Sequence, residues 1–411
     1  MNSVRSTLRI PVRLAVAIPM VLLASYAILE TLRFASAERL SRRDTFEALQ
    51  AAVRILPGNA DYHGRIATLD PTKEDELRAA LKLNPRDPVW WILQSVRQEV
   101  DGDALGAEQS LRQANAVSNY YTPRWSFAAF YYRQGNKAEY SRWARLALSV
   151  GNGNPESLFR MAQRLALSSE EMLHEVLPAD PERLNSYLHF ALKESDMKLA
   201  YDTAALLAVA GSKTYRSTLL ETCEALFVAG RISEAVALWN NVSRAGWMAL
   251  PSLDPSAGKS LSNGTLTGEP VEKGFDWKYS FPSGISASHA EPDGSLRLEF
   301  SGKQPETGDL MSQYLPLLPG RRYKLTVRYR TDGIPAPSGL KWSIVAVPSG
   351  QPLFAEILNS PGGESREQDF EFQTPQQSVS LKLLLSYTRL PGTTRIEGKL
   401  WIHSVQLALV P

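Results

Sequence analysis

Between residues 250 and 263 the chain changes its hydrophobic period, and one layered core cannot serve both halves. From 35 to about 250, apolar residues recur at i, i+3, i+4 and i+7, the spacing of one helix face; in residues 104–117, for example, Ala107, Leu111 and Ala114 fall together. Helix stops punctuate this stretch: LPGN at 56–59, LNPRDP at 83–88, YTP ending at Pro123 and GNGNP ending at Pro155. Beyond 263 the period becomes two. Apolar and polar residues alternate in short runs separated by turn residues, which is the pattern of half-buried strands.

The helical segment has a repeat. Pro85, Pro123 and Pro155 lie 38 and 32 residues apart, and a period in the thirties is that of stacked helical hairpins. In residues 127–148, Phe127, Ala128 and Tyr131 form one helix face, Gly135 the turn, and Tyr140, Ala144 and Ala147 the second face. Residues 219–239 repeat the pattern, with Cys223 at the small position, Gly230 at the turn, then Ala235 and Trp239. These units resemble a tetratricopeptide repeat. The resemblance implies an all-α solenoid over 35–250 with a concave groove that docks a protein partner; residues 45–115 follow it loosely, and 156–215 are helical with little visible repeat.

Residues 251–262 (PSLDPSAGKSLS) read as a linker. After it, strands are expected at 275–279, 295–300, 311–316, 322–331, 340–347, 353–358, 367–372, 379–387 and 399–409, a β-sandwich or jelly roll. Turns fall at 292–294, 318–320, 348–350, 361–363 and 391–392. The stretches SNGTLTGEPVEKGFDWKY, LPLLPGRRYKLTVRYRT and IEGKLWIHSVQL resemble the jelly-roll family of carbohydrate-binding modules. That likeness spans nearly all of 261–410 and implies a jelly-roll domain over 263–411 that contacts a polysaccharide. Many such modules hold a calcium through an acidic residue of the closing strand; here that strand carries His403 and Ser404, so no metal is expected, and no cofactor.

The N-terminus points to a membrane. Leu14 to Leu29 carry no charge, and Ile10 to Val12 extend the run past Arg13. Arg5, Arg9 and Arg13 precede it, which places residues 1–34 as a cytoplasmic tail and transmembrane helix with the bulk outside the cytoplasm. The alternative is a cleaved signal peptide, since Ala35-Ser36-Ala37 has the small-x-small form of a cleavage site. Charge excludes another class: 45 basic and 43 acidic residues leave a net charge of +2, with no field of the kind that nucleic acid requires. The single cysteine, Cys223, excludes an intrachain disulfide and cysteine-based metal sites.

Catalytic signatures fail. His174-Glu175 begins a zinc-protease helix, but Pro178 stands where the second histidine belongs. Gly258-Lys259-Ser260 ends like a phosphate loop, yet Leu253 replaces its first glycine. The better constellation is basic and aromatic. In residues 321–331, Tyr323, Leu325, Val327 and Tyr329 alternate with Lys324, Thr326, Arg328 and Arg330, so one face is core and the other a basic stripe. If the strands are sheet neighbours, Arg328, Arg330, Lys341 and Lys382 share a surface suited to an anionic or hydroxyl-rich glycan; otherwise they are an ordinary solvated face. Phe275 and Trp277 read as core. Trp401, between the buried Leu400 and Ile402, and Tyr387 are the expected sugar-stacking residues.

The expected protein is therefore multidomain: an exported, membrane-anchored, non-catalytic chain that docks a partner through its repeats and contacts polysaccharide through its jelly roll. Its architecture is similar to that of bacterial extracellular-polysaccharide synthesis or export components. A pure assembly scaffold and a glycan-modifying enzyme are the alternatives.

Overall fold

The computed structural model describes residues 9–151, 153–289, 294–358 and 362–410, with side chains from 17 onward. The tail around Arg5, the side chains of Arg9 and Arg13, most of the turn at 292–294 and Pro361 of the turn at 361–363 lie outside the described residues. The chain forms two compact units, Met1–Val176 and Leu177–Pro411.

The first unit is helical: α1 (Arg9–Ser41), α2 (Phe46–Ile55), α3 (Ala60–Leu69), α4 (Glu74–Leu83), α5 (Pro88–Val100), α6 (Ala104–Val117), α7 (Tyr121–Arg133), α8 (Lys137–Leu148), α9 (Glu156–Arg164) and the single turn α10 (Ser169–Glu171). The apolar run and the first hairpin share one helix. Along α1, Ile18, Val21, Leu22, Leu29 and Leu32 are exposed, and residues 17–41 are long and apolar enough to cross a membrane. Its last turns pack instead. Ala37 is fully buried with Ala52 and Tyr62, and Arg33 Nη2 donates to the Ile55 carbonyl at 2.9 Å.

The second unit opens with α11 (Pro181–Lys193), α12 (Met197–Ala210), α13 (Arg216–Val228) and α14 (Ile232–Arg244). The same turn joins α5 to α6, α7 to α8 and α13 to α14. At Gly102, Gly135 and Gly230 the chain takes a positive φ, and the next residue bonds back into the preceding helix: Asn136 N to Tyr131 O, Arg231 N to Leu226 O. Asp103 and Asn136 then cap the following helix through their side chains. The α11–α12 hairpin makes the same bonds, with Asp196 N donating to Ala191 O and Asp196 as cap, but Ser195 stands at φ 58° where the others have glycine. That substitution removes the glycine that marks the turn elsewhere, so this hairpin lacks the signal in sequence.

The rest of this unit is an antiparallel two-sheet β-sandwich. Its strands are β1 (Lys278–Tyr279), β2 (Ile285–His289), β3 (Leu296–Ser301), β4 (Thr307–Leu315), β5 (Arg322–Asp332), β6 (Leu340–Ala346), β7 (Pro352–Ile357), β8 (Arg366–Gln373), β9 (Leu381–Thr388) and β10 (Glu397–Val410). One sheet runs β1-β4-β9-β6-β7 and the other β2-β3-β10-β5-β8. Inward residues of both sheets make one core, in which Trp277 meets Trp342 edge-on at 6.2 Å. Strand β2 was not expected from sequence: ISASH offers one large apolar side chain, and an edge strand needs little more.

Residues 274–277 join helices to sandwich. They are not a strand; the first ladder starts only at Lys278. Phe275 leaves the sandwich and packs edge-on against Phe227 of α13 and Trp239 of α14, at 5.3 and 5.7 Å between centroids, whereas Trp277 turns into the sheet core and donates to the Asn263 carbonyl. Asp276 between them is buried, and burial pushes its carboxyl above the usual range. Lys278 reaches Glu224 of α13 at 2.5 Å, and Ser380 Oγ donates to the Phe227 carbonyl.

The stretch 251–262 is equally tied down. Trp239 Nε1 donates to Pro251 O, Asn240 bonds Leu253 through both N–H and carbonyl, and Ser260 Oγ donates to Pro316 O inside the sandwich. The Gly258-Lys259-Ser260 triplet thus forms a bridged turn, with Lys259 N donating to Asp254 O. The boundary drawn there by the change of period falls inside the second unit.

Two outcomes follow from this packing. Phe275→Ala removes a fully buried ring and is expected to cost about 3–5 kcal/mol, lowering the helical and the β-sheet circular-dichroism transitions together; a shift confined to the β signal would show that the hairpin and sandwich are not coupled. Ser195→Gly relieves a left-handed serine and should raise stability by roughly 0.5–1 kcal/mol in denaturant unfolding.

Candidate functional site

The strand order divides the residues expected to share a surface. Arg328 and Arg330 lie on β5, in the β2-β3-β10-β5-β8 sheet, while Lys341 on β6 and Lys382 on β9 lie in the other. The two pairs therefore face away from each other on opposite outer surfaces. Lys382 stands beside Tyr314 of β4, whose ring packs 5.0 Å from Phe227, so the helical hairpin covers part of that face. Tyr387 is corrected outright. It keeps the parity of Leu381, Leu383 and Leu385, is 1% exposed, and packs against Phe300 of the facing sheet at 6.2 Å.

Trp401 is placed as expected, outward between Leu400 and Ile402, which are both fully buried. Cross-strand register decides its company, because directly opposed residues in antiparallel strands share a face. Trp401 stands opposite Arg330 of β5 on one side and Arg297 of β3 on the other, and Arg297 stands opposite Ser288 of β2. The Arg330 guanidinium lies over the indole, 4.1 Å from Cζ to the ring centroid, a cation–π stack. A register shift at His403, between Ile402 and Ser404, then changes the pairing of β10 so that Ser404 meets Arg328.

On the rungs that flank the tryptophan, cations stand opposite carboxylates across the strands. On one flanking rung Lys399 stands between Glu299 and Asp332; on the other Arg328 faces Glu367. Further along, Lys324 binds Asp369 at 2.7 Å, which holds that carboxyl below its usual range. The Trp401 rung has two guanidiniums and no carboxylate, and the Nε atoms of Arg297 and Arg330 are both buried without a hydrogen-bond partner among the described residues. Sequence reading missed Arg297. Its signal was available, since LRLEF alternates and puts Arg297 on the polar face, but only the register carries that face to Trp401.

In the first unit a cleft of about 570 Å³ opens along α3, α4 and α5, lined by Leu77, Leu93, Val96, Val100, Arg78 and Arg97 among others. Val96 and Val100 are 46% and 81% exposed, which is the kind of apolar surface a second chain can cover.

No family model and no curated protein matches the chain. Among solved structures it is similar to a CBM4 module (16% identity over 37% of this chain and all of that one, TM-score 0.29) and to "Family 16 Carbohydrate Binding Module-2" (16%, 36% of this chain and 96% of that one, 0.26). It is also similar to pilF of Pseudomonas aeruginosa (17%, 52% of this chain and 92% of that one, 0.27). At such scores these likenesses decide neither a family nor a ligand.

The burial contrast gives a direct check. Tyr387→Ala should cost about 3–5 kcal/mol of unfolding free energy, while Lys341→Ala and Lys382→Ala should each fall within about 0.5 kcal/mol of the parent.

Proposed function

We propose that this is a membrane-anchored, non-catalytic protein of the cell envelope, whose sandwich contacts polysaccharide and whose helical repeats dock a protein partner, in the synthesis or export of an extracellular glycan. The observation that carries the glycan reading is Trp401: a large, half-exposed aromatic on the outer face of the sheet, with the arginines of two neighbouring strands opposite it on either side. Sugar rings present apolar CH faces and hydroxyl rims, and such a surface offers each a partner. The exposed apolar cleft of the first unit supports the docking of a partner, as do the stacked hairpins that form it.

Packing of α1 supports the anchor over the cleaved signal. A cut after Ala37 would remove Arg33 and Ala37 from their contacts with α2 and α3 and leave the first hairpin without one of its helices. Cys223, the one thiol, is fully buried, and burial pushes its pKa up, which suits a packing role rather than a nucleophile.

The full chain in detergent micelles, applied to an array of neutral and acidic glycans, is expected to bind, and Trp401→Ala to lose binding at every salt concentration without loss of fold. No binding to any glycan would overturn the reading in favour of a scaffold. For the anchor, membranes of cells expressing the chain should hold it intact; a mature N-terminus at Glu38 would show that the segment is cleaved.

A further inference from the structure

Resting on that glycan reading, we infer that the Trp401 rung is a subsite for a carboxylate-bearing sugar, with the carboxylate taken by Arg330 and Arg297. The charge pattern of the face leads there. The rungs on either side match a cation with at least one anion across the strands: Lys399 with Glu299 and Asp332, Arg328 with Glu367. At Trp401 the pattern stops: half-buried Arg330 and Arg297 stand opposite the indole on either side, and neither forms an ion pair with a carboxylate among the described residues. Partly withdrawing two guanidiniums from water without a counter-charge is unfavourable, and a bound anion removes that cost.

Geometry selects the kind of anion. The Arg330 guanidinium lies over the indole, 4.1 Å from the ring centroid, and such a stack restricts how its N–H donors can turn. A fork of parallel N–H donors matches the two oxygens of a carboxylate. Arg297, on the far side of the tryptophan, lies two strands from Arg330, about 10 Å at the backbone. A hexuronate ring packed on the exposed part of Trp401 has its carboxylate at the ring edge, within the reach of these donors. A neutral hexose would fill the same place but leave both guanidiniums unpaired.

The test compares one polymer in two charge states. Full-length protein in detergent micelles is titrated with polygalacturonate, with its methyl ester, in which the sugar ring is kept and the charge removed, and with dextran sulfate. Alginate and hyaluronate serve as further uronates. At least one uronate polymer is expected to bind; if it is polygalacturonate, the ester should bind at least tenfold more weakly, and dextran sulfate more weakly than the uronate. Arg330→Gln and Arg297→Gln should each weaken uronate binding about tenfold while leaving binding of the ester unchanged, and Arg330→Lys, which keeps charge but loses the fork, should recover only part. Trp401→Ala should weaken both forms, with Trp401→Phe as the milder variant and a thermal melt of each confirming the fold.

Equal binding of acid and ester, or arginine variants that bind a uronate as the parent does, would overturn the carboxylate subsite and leave the glycan reading standing. Dextran sulfate bound as tightly as the uronate would mark a general polyanion surface and overturn it too. Binding of neutral glycans alone has the same consequence, and no binding to any polymer removes both readings.

Discussion

Phe275 is the contact on which the second unit depends. It is a residue of the all-β sequence that packs outside the sandwich, edge-on to Phe227 and Trp239 in the last helical hairpin. An aromatic there buries a large apolar area against two rings whose own exposure would otherwise be costly. Everything nearby is arranged around that insertion. Asp276 and Trp277 turn the chain back into the sheet, Lys278 pairs with Glu224, and residues 251–262 are fastened to α14 at one end and to the sandwich at the other. Helices and strands in this unit are one packed body, although their sequences follow different periods.

Cross-strand register plays the corresponding part at the candidate site. Each of β3, β5 and β10 carries an unremarkable polar face, and any one alone reads as solvated sheet surface. The order β3-β10-β5 sets Arg297, Trp401 and Arg330 in a row, and a slip of one residue in β10 would send Trp401 into the core and Leu400 outward. The shift at His403 confines that register to the N-terminal part of β10, since beyond it the pairing with β5 is offset. The same register sets carboxylates opposite Lys399 and Arg328 but, among the described residues, none on the tryptophan rung.

Much of the architecture was legible in the chain. Helical and strand periods separate because a 3.6-residue repeat and a two-residue repeat cannot bury the same face, and glycine marks hairpin turns because a left-handed turn is least costly without a Cβ. Where serine takes that place at 195, the repeat vanished from view while the turn itself persisted. Tyr387 was legible and misread: its parity with Leu381, Leu383 and Leu385 already put it inside.

What the sequence by itself determined is which side chains share a face along each strand, because alternation is local geometry. What only the tertiary structure decided is which strands lie side by side. Pairing between distant segments depends on how two whole sheets close over a common core, and it alone separated Arg330 from Lys341 and Lys382 and set it beside Trp401, with Arg297 on the tryptophan's far side.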